Sequence, residues 1–203
     1  MNGVESVRFD FEGLSAHAWV GGTGSPLLLL HGSGPGASSV GNWRTVLPTL
    51  AANHRVVALD LLGFGESARP SPPQFDFERW VRQAGAARQR FFGDASIGIV
   101  GHSISAAIAL RLAVADARVE AVLATGAMGP DMEVNAHLDR VWRCPRSRAA
   151  MRAAAQTLIH DHTYIDDDYL DARMAVIGAP GYADYFDAMF ALDFADVIAA
   201  TRV

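Results

Sequence analysis

The stretch GIVGHSISAAIAL, residues 98–110, sets a serine between an apolar run and an alanine-rich helical segment. A strand, a sharp turn and a helix in that order hold a hydroxyl exposed at the turn, where Ser103 can act as a nucleophile toward a carbonyl carbon. Attack on an ester or ketone passes through a tetrahedral oxyanion, which needs two backbone N–H donors aimed at its oxygen. One comes from Ile104, the residue after the nucleophile. The other comes from around Ser33 and Gly34 in HGSGPGA, residues 31–37, where small residues let the backbone approach a substrate closely. DLLGFGES, residues 60–67, adds a third glycine-bearing turn. The serine turn ends in Ser105 rather than the usual glycine, so some crowding between strand and helix is expected. His31 and His102 read as structural parts of their loops, and His17 and His54 as surface or strand-end histidines.

A second chemistry competes for the glycine loop. Gly32, Gly34 and Ala37 fit G-x-G-x-x-A, and Asp60 ends the next strand at the distance a dinucleotide-binding domain requires. That reading leaves His31 and the serine turn unexplained, whereas nucleophilic catalysis uses both loops.

The elements that must position these residues are legible from periodicity. SVRFDF and LSAHAWVG read as an antiparallel entry with Gly13 near the turn. SPLLLLHG, HRVVALD, SIGIVGH and RVEAVLATG are continuous apolar runs, as in strands buried on both faces. GNWRTVLPTLAAN is helix-like, with Pro48 bending it or delaying its start. QFDFERWVRQAGAARQRF and SAAIALRLAVA are helices, and Asp94 follows the first of them in a turn. Strands alternating with helices imply a doubly wound, mostly parallel α/β sheet. The core is assigned to residues 1–129. Residues 130–200, rich in Ala, Asp and Arg and without a convincing strand, are assigned to a helical lid. The acidic run at Asp166–Asp168 reads as a helix start.

Composition narrows the partners. The chain has 203 residues, a net charge of −5 and 17 basic residues, all of them Arg. No basic patch with interleaved aromatics points to nucleic acid. No apolar run approaches membrane-spanning length, and no leader pattern opens the sequence. The single Cys144 excludes an internal disulfide, and a reducing cytoplasm is the expected compartment. The expected partner is a small-molecule substrate, with no cofactor and no metal; no third ligand of suitable spacing accompanies His160 and His162.

LLLLHGSGPGASSVGNWRTVLPTLAANHRVVALDLLGFGES closely resembles the meta-cleavage-product C–C bond hydrolases of aromatic degradation (2-hydroxy-6-oxo-hexa-2,4-dienoate hydrolase type), a branch of the α/β-hydrolases. HDHTYIDDDYLDARMAVIGAPGYADYFDAMF is similar to that family's lid segment. The resemblance implies Ser103 as nucleophile, Ser33 or Gly34 with Ile104 as oxyanion donors, and Asn42 and Arg173 as substrate-binding residues. Arg173 would grip the dienoate end of the substrate, a bidentate anionic target suited to a guanidinium fork. His102 before the serine, where many members have Asn, and Ser105 depart from the pattern and bear on the substrate more than on the class.

The resemblance also implies the order serine, acid, histidine, with the last two after later strands. Six core strands are counted here against the eight it implies, so the acid and base are expected outside this chain. Internal alternatives are Asp131, His137, His160 and His162, the histidines all in lid-like sequence. An uncovered sheet edge at VEAVLATG is expected to favour pairing with a second copy. Alternatives to C–C hydrolysis are a carboxylesterase of the same fold, the dinucleotide-binding domain, or a non-catalytic module retaining the fold.

Overall fold

A computed structural model describes residues 3–73, 76–127 and 135–190. β1 (Val4–Phe11) and β2 (Leu14–Gly21) form an antiparallel hairpin. Its turn places Glu12 and Gly13 at φ 52° and 76°, the paired left-handed conformation that matches strand twist in a two-residue loop. β3 (Ser25–Leu30) then enters the middle of the sheet.

The segment expected as one helix, bent or started late by Pro48, is two. α1 (Ser39–Trp43) is capped by Ser38, whose hydroxyl accepts from the Gly41 amide, and α2 (Leu47–Ala51) starts afresh with Pro48 in its first turn. Proline lacks an N–H, so the first turn of a helix tolerates it and an interior does not. β4 (His54–Asp60), α3 (Phe77–Phe92), β5 (Ile97–His102), α4 (Ile104–Ala115) and β6 (Val119–Thr125) follow. Asp76 caps α3 by accepting from the Arg79 amide.

The sheet order is β1-β2-β4-β3-β5-β6, antiparallel through β2 and β4 and parallel from there. The leucine run of β3 shows why these strands are apolar throughout. Leu28 and Leu30 join the large core with Ile99 and Ile108, while Leu29 joins Leu47, Val56 and Ala58 on the other face. Successive side chains point to opposite faces, so a strand covered on both sides has no polar position to spare. β6 differs from the buried strand expected of it. Only Val119 is buried and Leu123 is 59% exposed, because β6 forms the sheet's edge among the described residues.

Beyond β6 the described residues are helical. α5 (Ala136–Val141), α6 (Arg148–Leu158), α7 (Asp167–Ile177) and α8 (Tyr182–Phe190) occupy the lid segment. Asp166 caps α7 by accepting from the Tyr169 amide at 2.8 Å, so the acidic run is a helix start. Asp131 and residues 191–203 lie outside the described residues. No helix among the described residues is long and apolar enough to cross a membrane.

Candidate active site

Ser103 stands between β5 and α4 at φ 58°, ψ −124°. A non-glycine residue there is strained by about 1–3 kcal/mol and persists only where its surroundings fix it. The Ser103 amide donates to the Thr125 carbonyl at 2.9 Å, tying the turn to β6. Gly101 permits the sharp return of the chain, since a Cβ there would lie 2.3 Å from the Ser105 carbonyl oxygen.

Ser105 does not crowd this turn. Its buried hydroxyl donates to the His31 carbonyl at 2.5 Å, joining the first turn of α4 to the end of β3. His31 is itself fully buried, with Nδ1 hydrogen-bonded to the Gly32 carbonyl at 2.6 Å and Nε2 accepting from the Leu61 amide at 3.1 Å. Burial lowers its pKa below the ordinary histidine value, which suits a neutral, structural imidazole. His102 is also held below the ordinary value, chiefly by burial, and its Nδ1 lies 3.2 Å from both the carbonyl and hydroxyl oxygens of Thr125.

The glycine loop meets Ser103 across a cavity of about 330 Å³. Gly32, Ser33 and Gly34 line it beside Ser103, as do Asn42 and Arg173. A Cβ on Gly32 would lie 3.3 Å from that of Ser103 and 3.0 Å from the His102 ring, so glycine permits this approach. Ile104 opens α4, and the first amides of a helix have no partner within it. Leu138, Met151, Ala155 and Leu158 contribute apolar lining to the same cavity. Arg173 enters from α7, donates to the Pro35 carbonyl at 3.1 Å and lies 5.4 Å from the Tyr169 ring centre.

Two lid residues escaped the sequence reading. Trp142 donates its indole N–H to the Ser33 hydroxyl at 3.3 Å, and the Tyr182 hydroxyl accepts from the Gly36 amide at 2.9 Å. Their only signal was aromatic character within an Asp- and Arg-rich segment.

No histidine among the described residues is hydrogen-bonded to the Ser103 hydroxyl. His137, His160 and His162 are exposed and do not line the cavity. His54 begins β4, as expected. His17 does not fit its surface reading: it is fully buried, with Nδ1 2.7 Å from the Asp60 carboxylate. That contact also removes the dinucleotide reading. The Asp60 carboxylate is buried and accepts from His17, Ser39 and the Glu66 amide, so it has no freedom to reach a ribose.

Residues 25–169 match the model of the alpha/beta hydrolase fold. The chain belongs to this family. Among curated relatives of this alpha/beta hydrolase, a 2-hydroxymuconate semialdehyde hydrolase from Pseudomonas sp. (strain CF600) is 36% identical over 83% of this chain and 60% of its own length. A 2-hydroxy-6-oxo-2,4-heptadienoate hydrolase from Pseudomonas putida F1 is 34% identical over 83% of this chain and 61% of its own. The chain thus spans about 60% of the length of these relatives. Among solved structures, the 2-hydroxy-6-oxo-6-phenylhexa-2,4-dienoate hydrolase from Rhodococcus sp. strain RHA1 superposes with a TM-score of 0.80 at 31% identity, covering 92% of this chain and 71% of that one. A meta-cleavage product hydrolase from Pseudomonas fluorescens IP01 gives 0.85 at 29% identity, over 94% and 70%. The resemblance read from HGSGPGA and the lid segment is borne out at the level of fold and family.

Proposed function

We propose that this chain carries the nucleophile, oxyanion loop and substrate-binding lid of a serine hydrolase that cleaves C–C bonds in 2-hydroxy-6-oxodienoates. The observation that carries the reading is one cavity lined by Ser103, by the polar Arg173 and Asn42, and by the apolar Leu138, Met151, Ala155 and Leu158. A ring-cleavage product combines the same two characters, an anionic oxo/enol end and an apolar acyl end.

In the proposed reaction the dienol first tautomerises to its keto form. Ser103 then attacks the ketone carbon, and its proton passes to a base. The tetrahedral oxyanion is held by the Ile104 amide and by that of Ser33 or Gly34. Its collapse breaks the C–C bond; the electrons leave as a dienolate, which is protonated, and water hydrolyses the acyl group from Ser103. All seven histidines are accounted for without one at the Ser103 hydroxyl, which supports a base supplied from outside this chain. Little turnover is therefore expected from residues 1–203 alone, and substrate binding is the direct test.

Titration with a yellow 2-hydroxy-6-oxodienoate is expected to shift its visible absorption on binding, and Arg173→Ala to weaken that binding. No spectral change at millimolar dienoate, or unaltered binding by Arg173→Ala, would overturn the assignment. Faster Ser103-dependent cleavage of a nitrophenyl ester than of the dienoate would favour a carboxylesterase instead.

A further inference from the structure

A complete serine–histidine–carboxylate relay exists in this protein, away from Ser103. The Ser6 hydroxyl lies 2.9 Å from His17 Nε2, and His17 Nδ1 lies 2.7 Å from Asp60 Oδ2. Three neighbouring strands each contribute one member. In the β1–β2 register Ser6 faces Trp19 and Arg8 faces His17; in the β2–β4 register His17 faces Asp60. Because side chains alternate between faces, this register puts Ser6, His17 and Asp60 on the same face of the sheet, and a one-residue slip would separate them.

Burial grades along the relay as a nucleophile would require. Asp60 and His17 are buried, whereas Ser6 is exposed on the outermost strand. The carboxylate is fixed by the Ser39 amide and hydroxyl at 2.6 and 2.7 Å and by the Glu66 amide at 3.0 Å. Trp19 packs edge-on against the His17 ring, with centres 5.5 Å apart. Held this way, the imidazole can donate Nδ1–H to Asp60, and that tautomer presents Nε2 as the acceptor for the Ser6 hydroxyl. A nucleophile within hydrogen-bond reach of a base that a third group orients is the general signature of an activated serine.

We propose that Ser6 is an activated serine that takes up acyl or phosphonyl groups from small activated electrophiles, independently of Ser103. With an aryl ester, Ser6 Oγ attacks the carbonyl carbon and its proton moves to His17 Nε2. The Oγ–C bond forms, the C–O bond to the aryloxide breaks, and the proton on His17 passes to the departing aryloxide. The products are O-acyl-Ser6 and a phenol, one equivalent per chain.

The test is residue-resolved labelling of the Ser103→Ala protein with a fluorophosphonate and with p-nitrophenyl acetate, read by peptide mass spectrometry. General-base assistance is worth about 10²–10⁴-fold, so Ser6 is expected to react about 10²-fold faster than the exposed Ser25 and Ser96 in the folded protein. In urea this advantage should vanish. Equal rates at the three serines in the folded state would reduce Ser6–His17 to a structural hydrogen bond and overturn the proposal. His17→Gln, where it folds by circular dichroism, should lower Ser6 labelling to the Ser25 level; undiminished labelling would equally overturn it. Should that variant not fold, the comparison of the three serines in the intact protein still decides.

Discussion

Asp60 makes the acid stability of this protein calculable. Burial alone would raise its pKa, but the hydrogen bond from His17, the nearby His31, and the donors from Glu66 and Ser39 together bring it from 3.8 to about 2. At 1.36 kcal/mol per pH unit, that difference corresponds to roughly 2.5 kcal/mol of folding free energy. The sign follows from which state binds the proton first. The unfolded chain protonates Asp60 near pH 3.8 and the folded chain only near 2, so the contribution is full above the first value and is lost as pH falls toward the second. Urea unfolding measured at steps across this window should show stability falling by about that amount from Asp60 alone. Exposed carboxylates such as Asp139 and Asp167 are also held low, mainly by hydrogen bonds from Arg143 and Arg148, but those pairs are screened by salt. Repeating the series at about 0.5 M salt should remove their part and leave that of the buried Asp60. Carbon-13 NMR of the Asp60 carboxyl gives the direct check. A midpoint near 4, or an acid sensitivity that salt abolishes, would refute the account of the network.

Ser105→Ala removes the hydroxyl that reaches the His31 carbonyl without changing the backbone, and should cost about 1–3 kcal/mol in urea unfolding. Tyr182→Phe leaves the Gly36 amide without its acceptor and should cost a similar 1–3 kcal/mol, with an accompanying drop in melting temperature; an unchanged melt would mean that the loop does not depend on this contact. Leu123→Arg places a charge on the edge strand β6, where Leu123 is 59% exposed. Sedimentation velocity should show less self-association than in the unsubstituted protein, as expected if copies pair through this edge.

Most of the fold was legible because its signals are local. HRVVALD coincides with β4, whose residues 56–60 are all buried, and LSAHAWVG, read as one arm of an antiparallel entry, coincides with β2. The turn at Gly101, Ser103 and Ile104 was legible because so sharp a return of the chain demands a glycine two residues before Ser103. Of the two expectations for Pro48, the late start held for α2 and the bend did not, because proline fits a first turn better than a kink; the separate α1 before it was not read. His17 failed for a different reason. Its neighbours Ala16 and Ala18 announce burial, yet what makes a buried histidine acceptable is a carboxylate 43 residues away and a hydroxyl 11 residues away. Strand pairing, not spacing along the chain, brings those groups together.

The same distinction explains how the glycine loop at residues 31–37, proposed to supply an oxyanion donor, is held. Its glycines supply close approach, but freedom of that kind works against a fixed amide direction. Order has to come from contacts that the loop's own residues do not announce. The core contributes the Ser105 hydroxyl and the Leu61 amide, both bonded to His31, and the lid contributes Trp142 to Ser33 and Tyr182 to Gly36. The four tethers reach the loop from α4, from the turn after β4, from the residue that ends α5 and from the start of α8. A loop fastened from both sides keeps its amide directions only while lid and core hold their relative positions. Under the proposed function the lid would therefore have two tasks: Leu138 and Trp142 line the cavity, and Trp142 and Tyr182 would set the geometry of the donors that face the reacting carbon.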